Sequence, residues 1–79
     1  MKLQMFAIKD SAASAFGTPF FLHNEELAKR SVSQLVNDPN TTVHQYPEQF
    51  ALYAVGSYDD QTGIIEPVDP VFIAHASGS

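Results

Sequence analysis

Few residues in this chain could do chemistry, and their spacing limits what that chemistry is. The only imidazoles are His23, His44 and His75. No two of them stand at the helical or strand spacing that a zinc or copper pair requires, so they read as three unrelated histidines: one beside a helix start, one in a loop, one near the tail. Asp59, Asp60, Glu66 and Asp69 gather around a stretch reading Asp59-Gln61-Thr62-Gly63 with a second Asp between. A hard-cation site needs several converging oxygens on a longer acidic loop. Here Asp and Gly are better explained as turn formers. A small open sheet offers nothing to raise a carboxyl pKa for acid–base work. There is no Gly-x-Ser-x-Gly elbow and no glycine-rich phosphate loop, and the absence of Cys removes any thiolate nucleophile or zinc ligand. The residues therefore point to a protein that is not an enzyme and needs no cofactor.

A second kind of chemistry is binding. Single-stranded nucleic acid stacks its bases on aromatic faces beside positive charge. Phe6, Tyr53, Tyr58 and Phe72 are candidate platforms, and Lys2, Lys9, Lys29 and Arg30 are the only side chains that could meet phosphates. Taken alone, the composition favours the rings as core or oligomer interface. Lys29 and Arg30 are neighbours on the outer side of a helix, and a two-fold axis would join two such pairs into one basic stripe.

The elements that must position these residues follow from periodicity. Residues 2–9 read as a strand with Leu3, Met5 and Ala7 on one face and Phe6 and Ile8 on the other, hence central or covered on both sides. Ser11 to Ala15 reads as a surface loop. Pro19 cannot donate to a ladder, which leaves residues 20–22 as a short extended piece at an edge. Asn24 is a helix cap, followed by Glu25 and Glu26 at the positive end of the helix dipole. Leu27, Ala28, Val32, Leu35 and Val36 form the apolar stripe, with Glu26, Lys29, Arg30 and Ser33 outside, and Asn37-Asp38-Pro39 ends the helix. Residues 40–49 read as a polar connection that extends briefly at 41–43. Residues 50–58 form the best strand, and Asp59 to Gly63 a hairpin closed by Gly in the left-handed region. Ile64 to Glu66 returns as a strand, Pro67 and Pro70 interrupt it, and residues 71–75 make a last strand or arm. The fold class is α+β: a single small domain over residues 1–79, one α-helix on a mostly antiparallel sheet of about four strands, with residues 77–79 a frayed tail. The uncovered sheet face would hold aromatics among Phe6, Tyr53, Tyr58 and Phe72. A patch of that kind marks a partner surface, most simply that of a two-fold dimer.

The whole-chain arithmetic agrees. Seventy-nine residues allow one domain with a limited core, and four basic against nine acidic residues give a net charge of −5. That balance argues against a generic nucleic-acid or membrane-surface binder. The Met1-Lys2-Leu3-Gln4-Met5 opening lacks the features of a signal peptide, and no apolar run is long enough to cross a bilayer. With no disulfide framework, a cytosolic setting is expected.

Several words in the chain, in order, carry a family resemblance. They are the Met1-Lys2-Leu3 opening, Phe16-Gly17-Thr18-Pro19-Phe20, Asn24, and the helix with Arg30 and Leu35-Val36-Asn37. Tyr46-Pro47-Glu48-Gln49-Phe50 is the most specific, followed by Leu52-Tyr53, Val55-Gly56, Tyr58-Asp59, Thr62-Gly63 and Pro70. Together they resemble the small non-structural protein of gokushoviruses, the microvirus branch that includes the chlamydia phages. Gln49, where an acidic residue is frequent, and the apolar, Ser-Gly-rich end after Pro70 depart from that pattern. The resemblance implies a phage early protein absent from the mature capsid, DNA-binding or acting in single-stranded DNA synthesis and packaging, with no catalytic motif to carry over. The expected partners are single-stranded DNA or phage replication proteins, in the host cytoplasm and without a membrane. Lys29 and Arg30 are then expected to contact phosphates, with Tyr53 and Tyr58 stacking on bases. The alternative is an acidic protein–protein adaptor with no nucleic-acid contact.

Overall fold

The computed structural model describes residues 1–78, and the elements below refer to these. In chain order they are β1 (Lys2–Asp10), β2 (Ala15–Phe16), β3 (Phe20–Leu22), α1 (Glu25–Val36), α2 (Thr42–Gln45), β4 (Phe50–Asp59) and β5 (Ile64–His75), with 3-10 turns at Pro47–Gln49 and Ala76–Gly78. The strands form one antiparallel, curled sheet. Its order is β2-β1-β4-β5, and β3 pairs with β1 alongside β2. The architecture is the α+β class expected, with five strands where about four were expected. The addition comes from the segment around Pro19: β2 and β3 are short pieces that share one edge of β1, separated at Gly17 to Pro19, where proline cannot continue a ladder.

The main helix forms where the capping chemistry places it. Asn24 is extended and its Oδ1 accepts from the Leu27 amide at 2.9 Å, with Glu25 and Glu26 in the first turn. Its stripe is buried at Ala28 and Val32 and packs with Leu35 and Val36 at the periphery of a core built from Phe6, Val43, Phe50, Leu52 and Ala76. Phe6, at 0% exposure, anchors this core, so it is not among the open-face aromatics as expected. Regular alternation along β1 settles the point: Phe6 and Ile8 face the helix, and Leu3, Met5, Ala7 and Lys9 face away.

Two further expectations are corrected. Residues 41–43 do not extend. Thr41 caps α2, its Oγ1 accepting from the His44 amide at 3.1 Å, because burying Val43 against α1 requires a helical turn there. Pro67 and Pro70 do interrupt the ladder with β4, which skips Val68 to Pro70, but they do not divide the strand: β5 runs as one element from Ile64 to His75. It is the outer strand, so the amides that the prolines lack can lie on the unpaired side. Ala76 is 1% exposed in the core and the chain turns there as a 3-10 segment, while Ser79 lies outside the described residues.

The hairpin between β4 and β5 matches expectation. Gly63 has φ +73° and its amide donates to the Asp59 carbonyl at 2.7 Å. Among the described residues no helix is long and apolar enough to cross a membrane.

Candidate nucleic-acid interface

The face of the sheet turned away from α1 is a surface of rings. Residues paired across strands share a face, so the register assigns it. Leu3 aligns with Tyr58 and Ile65, Met5 with Phe21 and Gly56, Ala7 with Tyr53 and Phe72, and Lys9 with Phe16, Ala51 and His75. Tyr53 and Tyr58 are five positions apart and would point to opposite faces of a regular strand. They share a face because Val55 is one residue extra, lying between the Met5–Gly56 and Phe6–Ala54 pairs. Phe72 and His75 are likewise brought together by Ile73, extra between the Tyr53–Phe72 and Leu52–Ala74 pairs. Two bulges thus place on one surface aromatic rings that the sequence pattern would divide between two.

Gly56 is the residue that lets the first bulge close. A Cβ there would lie 2.5 Å from the Glu66 carbonyl oxygen and 3.3 Å from the Pro67 Cα. Opposite Val55, β5 spends three residues, Val68 to Pro70, between its pairings with Ala54 and Gly56.

The rings form two groups. In the first, Phe16 meets Tyr53 edge-on at 5.3 Å between centroids, Tyr53 meets Phe72 edge-on at 5.7 Å, and Phe72 meets His75 at 4.9 Å with a 60° tilt. In the second, Phe21 meets Tyr58 at 5.6 Å. Each such contact contributes about 0.5–1.5 kcal/mol beyond area burial. The row is open to solvent: Phe16 is 42% exposed and Phe72 48%. Lys9 Nζ sits over it, 5.6 Å from the Phe16 centroid and 6.0 Å from that of Tyr53.

On this face the cation is Lys9, at one end. Around the hairpin, at the far end of the sheet, Asp59 and Glu66 alternate with Tyr58 and Ile65 and belong to the opposite face, aligned with Lys2 and Ser57. There Glu66 Oε1 lies 3.6 Å from Lys2 Nζ, and Asp60 Oδ1 accepts from the Met1 amine at 2.8 Å. Tyr53 therefore stands beside positive charge, and Tyr58 lies at the end of the face away from Lys9.

Lys29 and Arg30 lie on α1, across the sheet from both tyrosines. Lys29 is half-buried and Arg30 is exposed. Within one protomer these cations do not share a surface with the rings. Phe16 and His75 are residues that sequence reasoning left out, and Lys9, named there among the possible phosphate contacts, was passed over in favour of Lys29 and Arg30. Lys9 was visible as the continuation of the Leu3, Met5, Ala7 parity, and Phe16 only becomes a neighbour through the pairing of β2. The histidines serve separate ends: His44 Nδ1 is 2.7 Å from the Val36 carbonyl at the end of α1, His23 is exposed, and His75 packs at a tilt against Phe72. Among the described residues no three His, Asp or Glu side chains converge as a metal site requires.

Two hollows flank the sheet. The larger, about 700 Å³ and open, lies between β3 and α1, with Ile8, Phe20, Leu22 and Leu35 in an apolar wall and Asp38 its one titratable residue. The smaller, about 130 Å³, closes the Lys9 end of the ring face.

Residues 3–78 match the family described as Phage ORF5 protein. No curated protein and no solved structure matches the chain.

Proposed function

The chain belongs to the Phage ORF5 protein family, and on that premise we propose that it is a non-catalytic accessory protein that holds single-stranded DNA during genome synthesis and packaging of a single-stranded DNA phage of the gokushovirus kind. It does so as a homo-oligomer in the host cytoplasm. The observation that carries this reading is the exposed row Phe16–Tyr53–Phe72–His75 with the Lys9 ammonium over its first two rings. Bases stack on such platforms at about 1–3 kcal/mol each and independently of sequence, while a cation beside the rings meets the phosphates. Tyr53 is the central platform. Tyr58 and Phe21 offer a second one, about 13 Å further along the strand at ~3.3 Å per residue. Lys29 and Arg30 are on the other layer, available to a second segment of strand or to the replication complex.

The net charge of −5 bears on strength. With one lysine at the rings, binding draws mainly on stacking, and its dependence on salt is shallow, a log–log slope of about −0.7 per phosphate neutralised. Titration of a labelled oligonucleotide at low and moderate salt tests the reading. Binding with that slope supports it, and no binding at low salt ends the idea of direct contact.

The acidic hairpin, with Asp60, Glu66 and Asp69 exposed, favours a second reading in which this end docks a protein of the replication complex. Capture of a phage or host replication protein that fails when Asp60 and Asp69 are changed to Asn would support it.

A further inference from the structure

The small hollow at the Lys9 end continues the ring face into a pocket with polar walls. Lys9, Tyr53 and His75 come from the sheet face itself, and Ser11, Glu48 and Gln49 close the end. This wall is fixed in place: the Ser11 amide and Oγ both donate to the Gln49 carbonyl, at 2.9 and 3.0 Å. Pro47 sets the 3-10 turn that carries Glu48 and Gln49. At about 130 Å³ the hollow is well below the roughly 300–1,000 Å³ of sites that enclose larger ligands. Its size is that of a single base at the end of the row.

We propose that this hollow takes the pyrimidine at the end of the stacked row and prefers cytosine, an inference that rests on the single-strand reading above. The walls offer a carboxylate acceptor, Glu48, and an ammonium donor, Lys9. Cytosine presents the complement: the N4 amino group donates, and the adjoining N3 and O2 accept. Carboxylates are the natural partners of that amino group. Thymine carries an oxygen where cytosine carries N4, and its single N3–H is flanked on both sides by oxygens that a carboxylate repels. Gln49 can turn either end of its amide to the base. The stacked row supplies affinity without discrimination, and the hollow adds discrimination at one position.

The test compares oligo-dC and oligo-dT of equal length, titrated against the whole chain and against Glu48→Ala. Glu48 is exposed, so the substitution leaves the core untouched. The expected result is dC binding about tenfold tighter than dT (about 1.4 kcal/mol), with the difference lost in Glu48→Ala and dT affinity retained. Equal binding of dC and dT by the unaltered chain overturns the cytosine pocket and leaves the single-strand reading standing. A preference that survives Glu48→Ala also overturns it. Failure to bind either oligonucleotide overturns both.

Discussion

At the scale of single residues, the account turns on Tyr53, which touches Phe16 and Phe72 and lies under Lys9. Tyr53→Ala removes the centre of the row and is expected to weaken oligonucleotide binding by about 1–3 kcal/mol. Tyr53→Phe keeps the ring and most of the affinity, and fluorescence anisotropy distinguishes the two. Lys29→Ala is expected to leave the same titration nearly unchanged, since that lysine stands on the helix layer. Gly56 has a role in folding. Gly56→Ala places a methyl 2.5 Å from the Glu66 carbonyl, against backbone that cannot rotate away. The expected loss is about 1–3 kcal/mol, as for overpacking elsewhere, read as a lower midpoint in urea.

At the scale of elements, α1, β1, β4 and the hairpin were legible because each is written in local chemistry. Asn24 and two glutamates announce a helix start, alternation announces a strand, and an Asp-rich turn ending in Gly63 announces a hairpin. Asn24→Ala is expected to cost about 1 kcal/mol in thermal or urea unfolding by leaving the Leu27 amide without its acceptor. What was not legible depends on partners distant in sequence. Val43 makes a helical turn of a segment that reads as a polar loop because a core is there to receive it. Pro67 and Pro70 read as interruptions, yet an outer strand tolerates them. The binding face itself rests on the extra residues Val55 and Ile73, and no periodic pattern marks a bulge before the neighbouring strand is known. Tyr53 and Tyr58 were legible as candidate platforms, but their shared face was not, and Lys9, one of four possible phosphate contacts in the sequence, was placed over Tyr53 only with the sheet assembled.

At the scale of the whole molecule, a core led by Phe6, Leu52 and Val32 supports a surface with unusually many apolar side chains. At about 0.05–0.15 kcal/mol per residue such a chain is stable by only ~4–12 kcal/mol. Phe6→Ala, at about 3–5 kcal/mol, is expected to leave it marginal or unfolded in circular dichroism. Ile64, Ile65, Val68, Val71 and Phe72 are all exposed along β5. The two prolines and the uneven pairing of that strand oppose simple edge-to-edge addition, so the dimer we propose does not extend the sheet through β5 and leaves the ring face open. Light scattering after gel filtration is expected to give twice the chain mass, and a strict monomer at high concentration would remove the oligomer from the account. The ring face can be tested without regard to oligomer number. Backbone chemical-shift mapping of the labelled chain with a short oligo-dC reads the contact surface directly. The account predicts shifts concentrated at Lys9, Phe16, Ala51, Tyr53, Phe72 and His75 and absent from α1. Shifts centred on Lys29 and Arg30, or none at saturating oligonucleotide, would contradict it.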